Sequence, residues 1–184
     1  MKKLLIAIFI LALLPLCAGC AKPFAGTETV KYKHPTGYEI TLPASWQIEQ
    51  DDPRAVFFLS EDGGISINII TELAGFNFYS MEELGDLVFE FLQSEITGLK
   101  QDSVLSVSDK KTQYRQVLSG PLPDGDEVFL DVFIYAPMNS VRYYVILSAG
   151  KDDFSLSSKL FTDIIKSFKL YKTQDEIYEL LNAA

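Results

Sequence analysis

The hydrophobic pattern is densest in two neighbouring stretches, residues 127–135 and 141–149. Between Val128 and Tyr135 the only polar residue is Asp131, so both alternating faces of this stretch are apolar. Strands of this kind lie in the middle of a sheet that is covered on both sides, because otherwise one row of large side chains would face water. The sequence therefore predicts a central pair of strands with packing layers above and below them.

Shorter alternating runs predict the remaining strands. Apolar and polar residues alternate on either side of a Pro-Thr-Gly turn signal, which indicates a hairpin over residues 30–34 and 38–42. A Glu-Asp-Gly-Gly segment suits a second hairpin loop, since glycine adopts positive φ without strain. A short strand is predicted to begin at residues 46–48, and further strands are predicted at 54–60, 65–71, 102–108 and 112–119.

Three segments change to helical spacing. Ser80 and Glu83 form a capping box that opens a helix ending at Gly98. A second helix is predicted between the acids at 152–153 and the lysines at 166 and 169, an order that suits the helix dipole. A third, shorter helix over residues 173–182 is expected to pack on the domain rather than wait for a partner. The fold class that follows is a mainly antiparallel β-sheet flanked by helices, an α/β (α+β) architecture.

The first twenty residues predict export. Lys2 and Lys3 precede an apolar run over residues 4–16. This order is typical of a signal peptide, and the run is shorter than the roughly 20 residues that a membrane-spanning helix needs. We therefore expect this segment to be cleaved.

The motif that ends the apolar run predicts lipidation. Cys17-Ala18-Gly19-Cys20 resembles a bacterial lipobox, in which cleavage leaves a diacylated cysteine at the new N-terminus. An ordinary secretory signal that contains cysteines is the alternative. The expected organisation is a signal peptide at 1–19, an acyl lipid on Cys20, a lipidated tether at 20–28 and a domain on the extracytoplasmic face of the cell membrane.

The negative net charge of the chain limits the classes of partner that it is expected to bind. The chain carries 25 acidic and 16 basic residues, a formal net charge of −9, and loss of Lys2 and Lys3 makes the mature domain more acidic still. Such a domain should be repelled by nucleic acid and by anionic lipid head groups, so we expect the acyl chain, rather than basic residues, to hold it at the membrane. Both cysteines lie in the signal region, which excludes a disulfide within the mature domain.

A family resemblance follows from the order of these features. A strand motif, the helix opened by Ser80 and Glu83, and the Ile-Ile-Lys-Ser-Phe segment at 164–168 resemble the PsbP-like superfamily, in particular its extracytoplasmic lipoprotein branch in bacteria. The resemblance covers about residues 29–171, leaves a C-terminal amphipathic helix at 172–184, and implies an α/β/α sandwich with a non-enzymatic binding or assembly role. The strand motif consists of Tyr32, His34, Pro35, Gly37, Tyr38, Ile40, Leu42, Pro43 and Trp46.

The sequence contains few of the residues and motifs that catalysis commonly uses. His34 is the only histidine and lies in phase with Val30 and Tyr32, so it is interpreted as a hydrogen-bonded structural residue. There is no Gly-x-Ser-x-Gly motif, and one histidine with no cysteine in the mature domain cannot form a typical zinc site. We expect no enzymatic activity, with a carboxylate-dependent hydrolase as the least favoured alternative.

Three groups of residues are candidates for binding. Aromatic residues and an arginine in the central strands could line a pocket, although core packing explains the rings more simply. Acidic turn residues offer oxygen ligands for calcium, against ordinary turn chemistry. Acids on the exposed side of the first helix form like-charge pairs four residues apart and could dock a basic partner. The groups are, in that order, Phe129, Phe133, Tyr135, Arg142 and Tyr144; Asp124, Asp126 and Glu127; and Glu82, Glu83, Asp86 and Glu90.

The function predicted from these observations is a lipid-anchored extracytoplasmic protein that binds, or helps to assemble, a partner protein of the envelope. A small-ligand or calcium-binding module is the alternative. No cofactor is expected beyond the covalent lipid on Cys20, and no nucleic-acid partner is expected.

Overall fold

The computed structural model describes residues 28–74, 79–138 and 141–183, so the signal peptide, Cys20 and the tether up to residue 27 lie outside the described residues. Strands and helices follow one another in an order that confirms the predicted class. The strands are β1 Thr29–His34, β2 Tyr38–Pro43, β3 Gln47–Asp52, β4 Ala55–Leu59, β5 Ile65–Leu73, β6 Lys100–Val104, β7 Gln113–Pro121, β8 Glu127–Met138, β9 Val141–Gly150 and β10 Lys169–Leu170. The helices are α1 Met81–Glu95, α2 Lys151–Ser167 and α3 Gln174–Ala183.

The larger sheet has seven strands in the order β3-β4-β5-β9-β8-β7-β6, and every neighbouring pair is antiparallel. The strands β8 and β9 lie next to each other in its interior, which confirms the prediction made from their two apolar faces. The sheet consists of two sets of consecutive strands, β3-β4-β5 and β6-β7-β8-β9, and short connections between consecutive neighbours require antiparallel pairing. The two sets meet where β5 pairs with β9, which is antiparallel as well.

The first hairpin belongs to a separate, smaller sheet. Strands β1 and β2 form the predicted hairpin, with a register that runs from Thr29 opposite Pro43 to His34 opposite Tyr38. The two-residue strand β10 then pairs with the other edge of β2, which gives the order β1-β2-β10. Sequence patterns do not reveal β10, because two residues are too few to show an alternation.

Two hydrophobic cores lie on opposite faces of the large sheet. One core is closed by α1, whose buried residues include Leu84 and Leu92, against β7 and β8. The other is closed by the small sheet, by α2 through Phe161 and Ile164, and by α3. Ile177 and Leu181 of α3 have no exposed surface, so the third helix packs on the domain as predicted.

Some boundaries differ from the sequence predictions. The strand expected at 102–108 occupies Lys100–Val104, and β3, expected to begin at residues 46–48, runs over Gln47–Asp52. Both are edge strands of the large sheet, and both contain a register shift. Edge strands are poorly marked in a sequence, since exposed polar residues on both faces hide the period of two.

Candidate functional site

The site begins with the way in which α1 is capped. The backbone N–H of Glu83 donates to Ser80 Oγ (3.2 Å), and the backbone N–H of Ser80 donates to Glu83 Oε2 (2.7 Å). This reciprocal pair is the predicted capping box, and it satisfies two donors at the start of the helix. The hydrogen bonds hold the pKa of Glu83 below its ordinary value. Glu83 therefore has a structural role, and it is the least available of the four predicted partner-face acids.

The inner side of α1 fixes the rotation of the helix. Gly85 lies directly against Tyr114 of β7, so closely that a Cβ on Gly85 would come within 2.2 Å of the ring. The buried Gln116 side chain donates to the Gly85 carbonyl oxygen (3.0 Å) and accepts from Gln101 Nε2 (2.5 Å). These contacts leave one orientation for α1 and direct its opposite side to solvent.

The outer side of α1 is the candidate site. Glu82, Asp86 and Glu90 are exposed and follow one another at intervals of four residues, and we call these three residues the acidic face. Leu87, which is 43% exposed, lies beside them. Helix α1 contains no Lys or Arg, and none of the ion pairs found in residues 28–74, 79–138 and 141–183 involves the acidic face. The carboxylates therefore present unneutralised charge on a rigid support.

The five residues of the predicted aromatic cluster do not come together. Phe129, Phe133 and Tyr135 face the core beneath α2, where Phe129 stacks on Phe154 with ring centroids 5.2 Å apart. Tyr144 lies opposite Ile134 on β8 and faces the core beneath α1. Arg142 alternates with Tyr143 and shares the side of Tyr144. The large sheet separates the two groups, which rules out one pocket lined by all five side chains.

Arg142 and Tyr144 instead meet Glu72 at one end of β5 and β9. The Tyr144 hydroxyl donates to Glu72 Oε2 (2.6 Å), and Arg142 Nη1 lies 3.6 Å from the same oxygen. The Arg142 guanidinium also lies over the Tyr79 ring, 5.5 Å from its centroid. Burial, with the nearby Glu72 carboxylate, raises the pKa of Tyr144, so its hydroxyl stays protonated and donates. This group ties the strand ends to the segment that leads into α1.

The predicted cation residues lie in the β7–β8 hairpin. The backbone N–H of Asp126 donates to Asp124 Oδ1 (3.2 Å), and Gly125 between them has a φ of 95°. Glu127 Oε1 lies 4.0 Å from Lys100 Nζ. In the described part of the chain, no group of three or more His, Cys, Asp or Glu residues is arranged to hold a metal ion. The observed contacts are turn chemistry, and calcium binding stays a prediction from the sequence alone.

His34 is buried, with 1% of its surface exposed, and it is hydrogen-bonded. The backbone N–H of Thr36 donates to Nδ1 (3.3 Å), so the neutral ring carries its proton on Nε2, which lies 3.3 Å from Asp51 Oδ1. Burial lowers the pKa of His34, and the neighbouring Asp51 carboxylate opposes part of that effect. The expected hydrogen bonding of this residue is confirmed, and its structural role stays an interpretation.

One buried ion pair was not predicted from the sequence. Arg115 on β7 binds Asp131 on β8 through two hydrogen bonds, Nε to Oδ1 (2.8 Å) and Nη2 to Oδ2 (2.6 Å). Its Nη1 also donates to Thr162 of α2 (3.0 Å). Burial raises the pKa of Asp131 and Arg115 opposes the rise. The sequence signal was Asp131 itself, the single acid between Val128 and Tyr135, because a buried carboxylate requires a buried donor.

Comparison with solved structures identifies the fold. The Ran-binding protein Mog1p of Saccharomyces cerevisiae superimposes with a TM-score of 0.63 at 7% identity, over 79% of this chain and 96% of that one. The cyanobacterial PsbP protein CyanoP of Synechocystis superimposes with a TM-score of 0.60 at 15% identity, over 86% and 99% of the two chains. This chain has a PsbP-like fold. No protein-family model and no curated protein sequence matches it.

The PsbP-like fold establishes the scaffold and leaves the site to be argued from this chain's own residues, since fold does not imply function. Cys20 lies outside the described residues, and its lipidation stays a prediction from the sequence. Within those residues, no helix has the length and the apolarity that crossing a membrane requires. Among the surfaces that the PsbP-like domain exposes, the acidic face combines a fixed backbone with unneutralised charge.

Proposed function

We propose that this protein is a lipid-anchored, non-enzymatic binding protein on the extracytoplasmic face of the membrane. Its PsbP-like domain docks a basic partner protein of the envelope through the acidic face. The observation that carries the proposal is the uncompensated charge of Glu82, Asp86 and Glu90 on a helix whose rotation is fixed. A partner with Lys or Arg residues supplies the missing counter-charges.

Helix α1 bears an electrostatic cost that its fold does not require. Glu82 with Asp86, and Asp86 with Glu90, are like-charge pairs four residues apart, and each destabilises a helix by a few tenths of a kcal/mol. Glu95 adds a negative charge in the last turn, where the helix dipole disfavours it. A docked basic surface would reverse both effects. It would also be steered towards the face by long-range attraction, which raises the association rate.

The exposed Leu87 supports a protein partner over a simple ion. An apolar side chain that is 43% exposed between carboxylates gives a partner area to desolvate, and a free cation cannot use it. Protein interfaces typically combine an apolar centre with a polar rim. The arrangement around Leu87 has that form on a small scale.

Cross-linking in intact cells tests the proposal. A photo-reactive amino acid at Leu87 should capture a specific partner, and the adduct should be lost when the acidic face is neutralised by E82Q, D86N and E90Q together. A matched control carries E49Q, E61Q and E179Q, which removes the same charge from exposed acids elsewhere. Retention of the adduct by both variants, or capture of nothing beyond the bait, would contradict docking through this face.

The anchor has its own test. Cells fed a clickable palmitate analogue should label the wild-type protein, and Cys20→Ala should abolish the label. A label that survives this substitution removes the lipidation proposal and leaves the docking proposal untouched, because the acidic face lies far along the chain from Cys20.

A further inference from the structure

The small sheet presents a basic surface in an otherwise acidic protein. Tyr38, Ile40 and Leu42 of β2 are buried in the core, so alternation directs the intervening residues of the sheet outwards. Lys31 and Lys33 on β1 and Lys169 on β10 are exposed on this outer side, and we call them the basic face. The chain thus separates its charges, although its net charge is −9.

The register concentrates these lysines. Lys33 and Lys169 lie on either side of Glu39, each directly opposite it across a strand pair, and Lys31 lies opposite Thr41. Glu39 is the single acid in the three strands. None of the ion pairs found in the described residues joins it to a lysine of the basic face. The sheet therefore keeps a surplus of positive charge.

An aromatic side chain accompanies the lysines. Lys33 Nζ lies 4.0 Å from the centroid of the Tyr171 ring, and Tyr171 is 38% exposed. Tyrosine is enriched at the interface between water and lipid, where its ring meets apolar material and its hydroxyl meets water. Lysine can extend its charged end towards head groups from the same level. The composition of this surface thus suits a bilayer.

The chain leaves the small sheet at its first strand, on the way to Cys20. The backbone N–H of Ala44 donates to the Glu28 carbonyl oxygen (2.8 Å), which fixes the position where β1 begins. Eight peptide steps separate Cys20 from Glu28, and a chain of that length spans at most about 29 Å. A lipid on Cys20 would therefore hold the small sheet, rather than α1, within reach of the membrane surface.

We propose that the basic face lies against the anionic surface of the bilayer and orients the tethered domain, with α1 turned away from the membrane. The inference rests on the lipid anchor of the proposed function, and it revises the expectation that basic residues play no part at the membrane. The acids of α1 lie beyond the large sheet. Layers of about 10 Å put them roughly 20 Å away, further than the Debye length of about 8 Å at physiological salt.

Lipid vesicles test the orientation. The lipidated protein carries a dye on Ser94→Cys, an exposed position in α1, and energy transfer is measured to a rhodamine lipid. Vesicles contain phosphatidylcholine alone or with one-third phosphatidylglycerol. Anionic lipid should lower the transfer efficiency, because α1 moves away from the surface. The variant K31Q/K33Q/K169Q should lose this response, and the control K100Q/K110Q/K111Q, with the same change in net charge, should keep it.

Two further measurements distinguish the contribution of the lipid anchor from that of the basic face. Flotation with pure phosphatidylcholine vesicles tests the anchor alone. If the protein does not float, the proposed lipidation fails, and the mature chain with Cys20→Ser still tests the face on phosphatidylglycerol vesicles at low salt. Each lysine near such a surface contributes about a fivefold gain in partitioning, so the basic-face variant should bind up to about 100-fold more weakly than the control.

Two results would overturn the proposal. One is equal behaviour of the basic-face variant and its control in both vesicle assays. The other is a dimer of the unlipidated chain in sedimentation that only the basic-face substitutions dissociate, since that would assign the surface to a second copy of this chain.

Discussion

Helices α1 and α2 cover opposite faces of the same sheet, but their charges follow different rules. In α2, Asp152 and Asp153 stand in the first turn and Lys166 in the last, as the helix dipole favours. In α1, acids extend from the first turn to Glu95 and no basic residue is present. The first-turn acids of both helices and the last-turn lysine of α2 are explained by the stability of the helix, but the acids further along α1 are not. The difference locates the surface that serves something other than folding.

The buried polar contacts of the sheet also differ between the side beneath α1 and the side beneath α2. Arg115 and Gln116 are neighbours on β7 and point to opposite faces. Under α2, Arg115 forms a buried ion pair with Asp131, and under α1, Gln116 forms neutral hydrogen bonds with Gly85 and Gln101. The contact between β7 and its neighbours is therefore charged and buried on the α2 side, whereas the corresponding contact beneath α1 is neutral.

The largest expected effect breaks the buried ion pair. Arg115→Met should lower the free energy of unfolding by about 3–5 kcal/mol, because it leaves the Asp131 carboxyl buried without its partner. Gln116→Leu should cost about 1–3 kcal/mol, the penalty for unsatisfied neutral groups. Urea denaturation measures both. The double variant R115M/D131L should recover most of the loss, and a loss in the double variant as large as that of R115M would contradict the account.

The next effect compares how closely α1 and α2 pack against the large sheet. Gly85→Ala should destabilise the protein by a net of about 1–2 kcal/mol, since overpacking against Tyr114 costs up to about 3 kcal/mol and the better helix propensity of alanine returns only about 1. Gly150→Ala, at the N-cap of α2, has open space around its Cβ and should change stability by about 0.5 kcal/mol or less. Equal midpoints for the two variants in urea would show that α1 can shift on the sheet.

Sequence reasoning predicted the parts of the fold that repeat locally. The capping box at Ser80 and the apolar faces of β8 and β9 are visible in consecutive residues, and both predictions are confirmed. The sequence did not show that the aromatic residues lie on opposite faces of the sheet. That arrangement depends on the pairing of β8 with β9, which sets Tyr144 opposite Ile134 and therefore on the other face from Tyr135. The partner of Asp131 was hidden for the same reason, since Arg115 meets it only across two paired strands.

Of the two charged surfaces, one could be predicted from the sequence and the other could not. Exposure of Glu82, Asp86 and Glu90 follows from helical periodicity, so their place on one surface could be predicted. The basic face could not, because Lys31, Lys33 and Lys169 converge only when β10 joins the edge of β2. The net charge of the chain gave the opposite impression, since composition carries no information on which charges share a surface.

A smaller effect concerns pH and the α2 side of the sheet, where the single histidine is buried. Burial lowers the pKa of His34, so the unfolded chain binds a proton that the folded protein excludes. The stability due to neutral His34 is complete above the unfolded pKa of about 6.5 and is lost as pH falls towards the folded pKa. Between pH 7 and pH 5.5 we therefore expect the free energy of unfolding to fall.

Urea titrations at several pH values check this dependence. His34→Gln lowers stability at pH 7, because it disturbs the contacts with Thr36 and Asp51, but it should flatten the slope between pH 7 and pH 5.5. The slope, and not the stability at one pH, is the readout. A slope unchanged by the substitution would assign the pH dependence to carboxylates instead.

The smallest expected effect concerns the surface charges by which α1 and α2 differ. D86N/E90Q removes two like-charge pairs from α1 while keeping Glu82, which the helix dipole favours in the first turn. It should raise stability by about 0.5 kcal/mol at low salt, with the gain shrinking as salt screens the repulsion. Removing charge from α2 by K166Q should act in the other direction, by about 0.3–1 kcal/mol, because it takes a cation from the negative end of the helix dipole. Thermal unfolding at low and high ionic strength measures both signs. If the acidic face serves a partner, the variant that is more stable must also be the one that loses the cross-linked adduct at Leu87. A variant that is more stable and still forms the adduct would mean that these charges are ordinary surface charges, and that α1 and α2 differ by chance rather than by function.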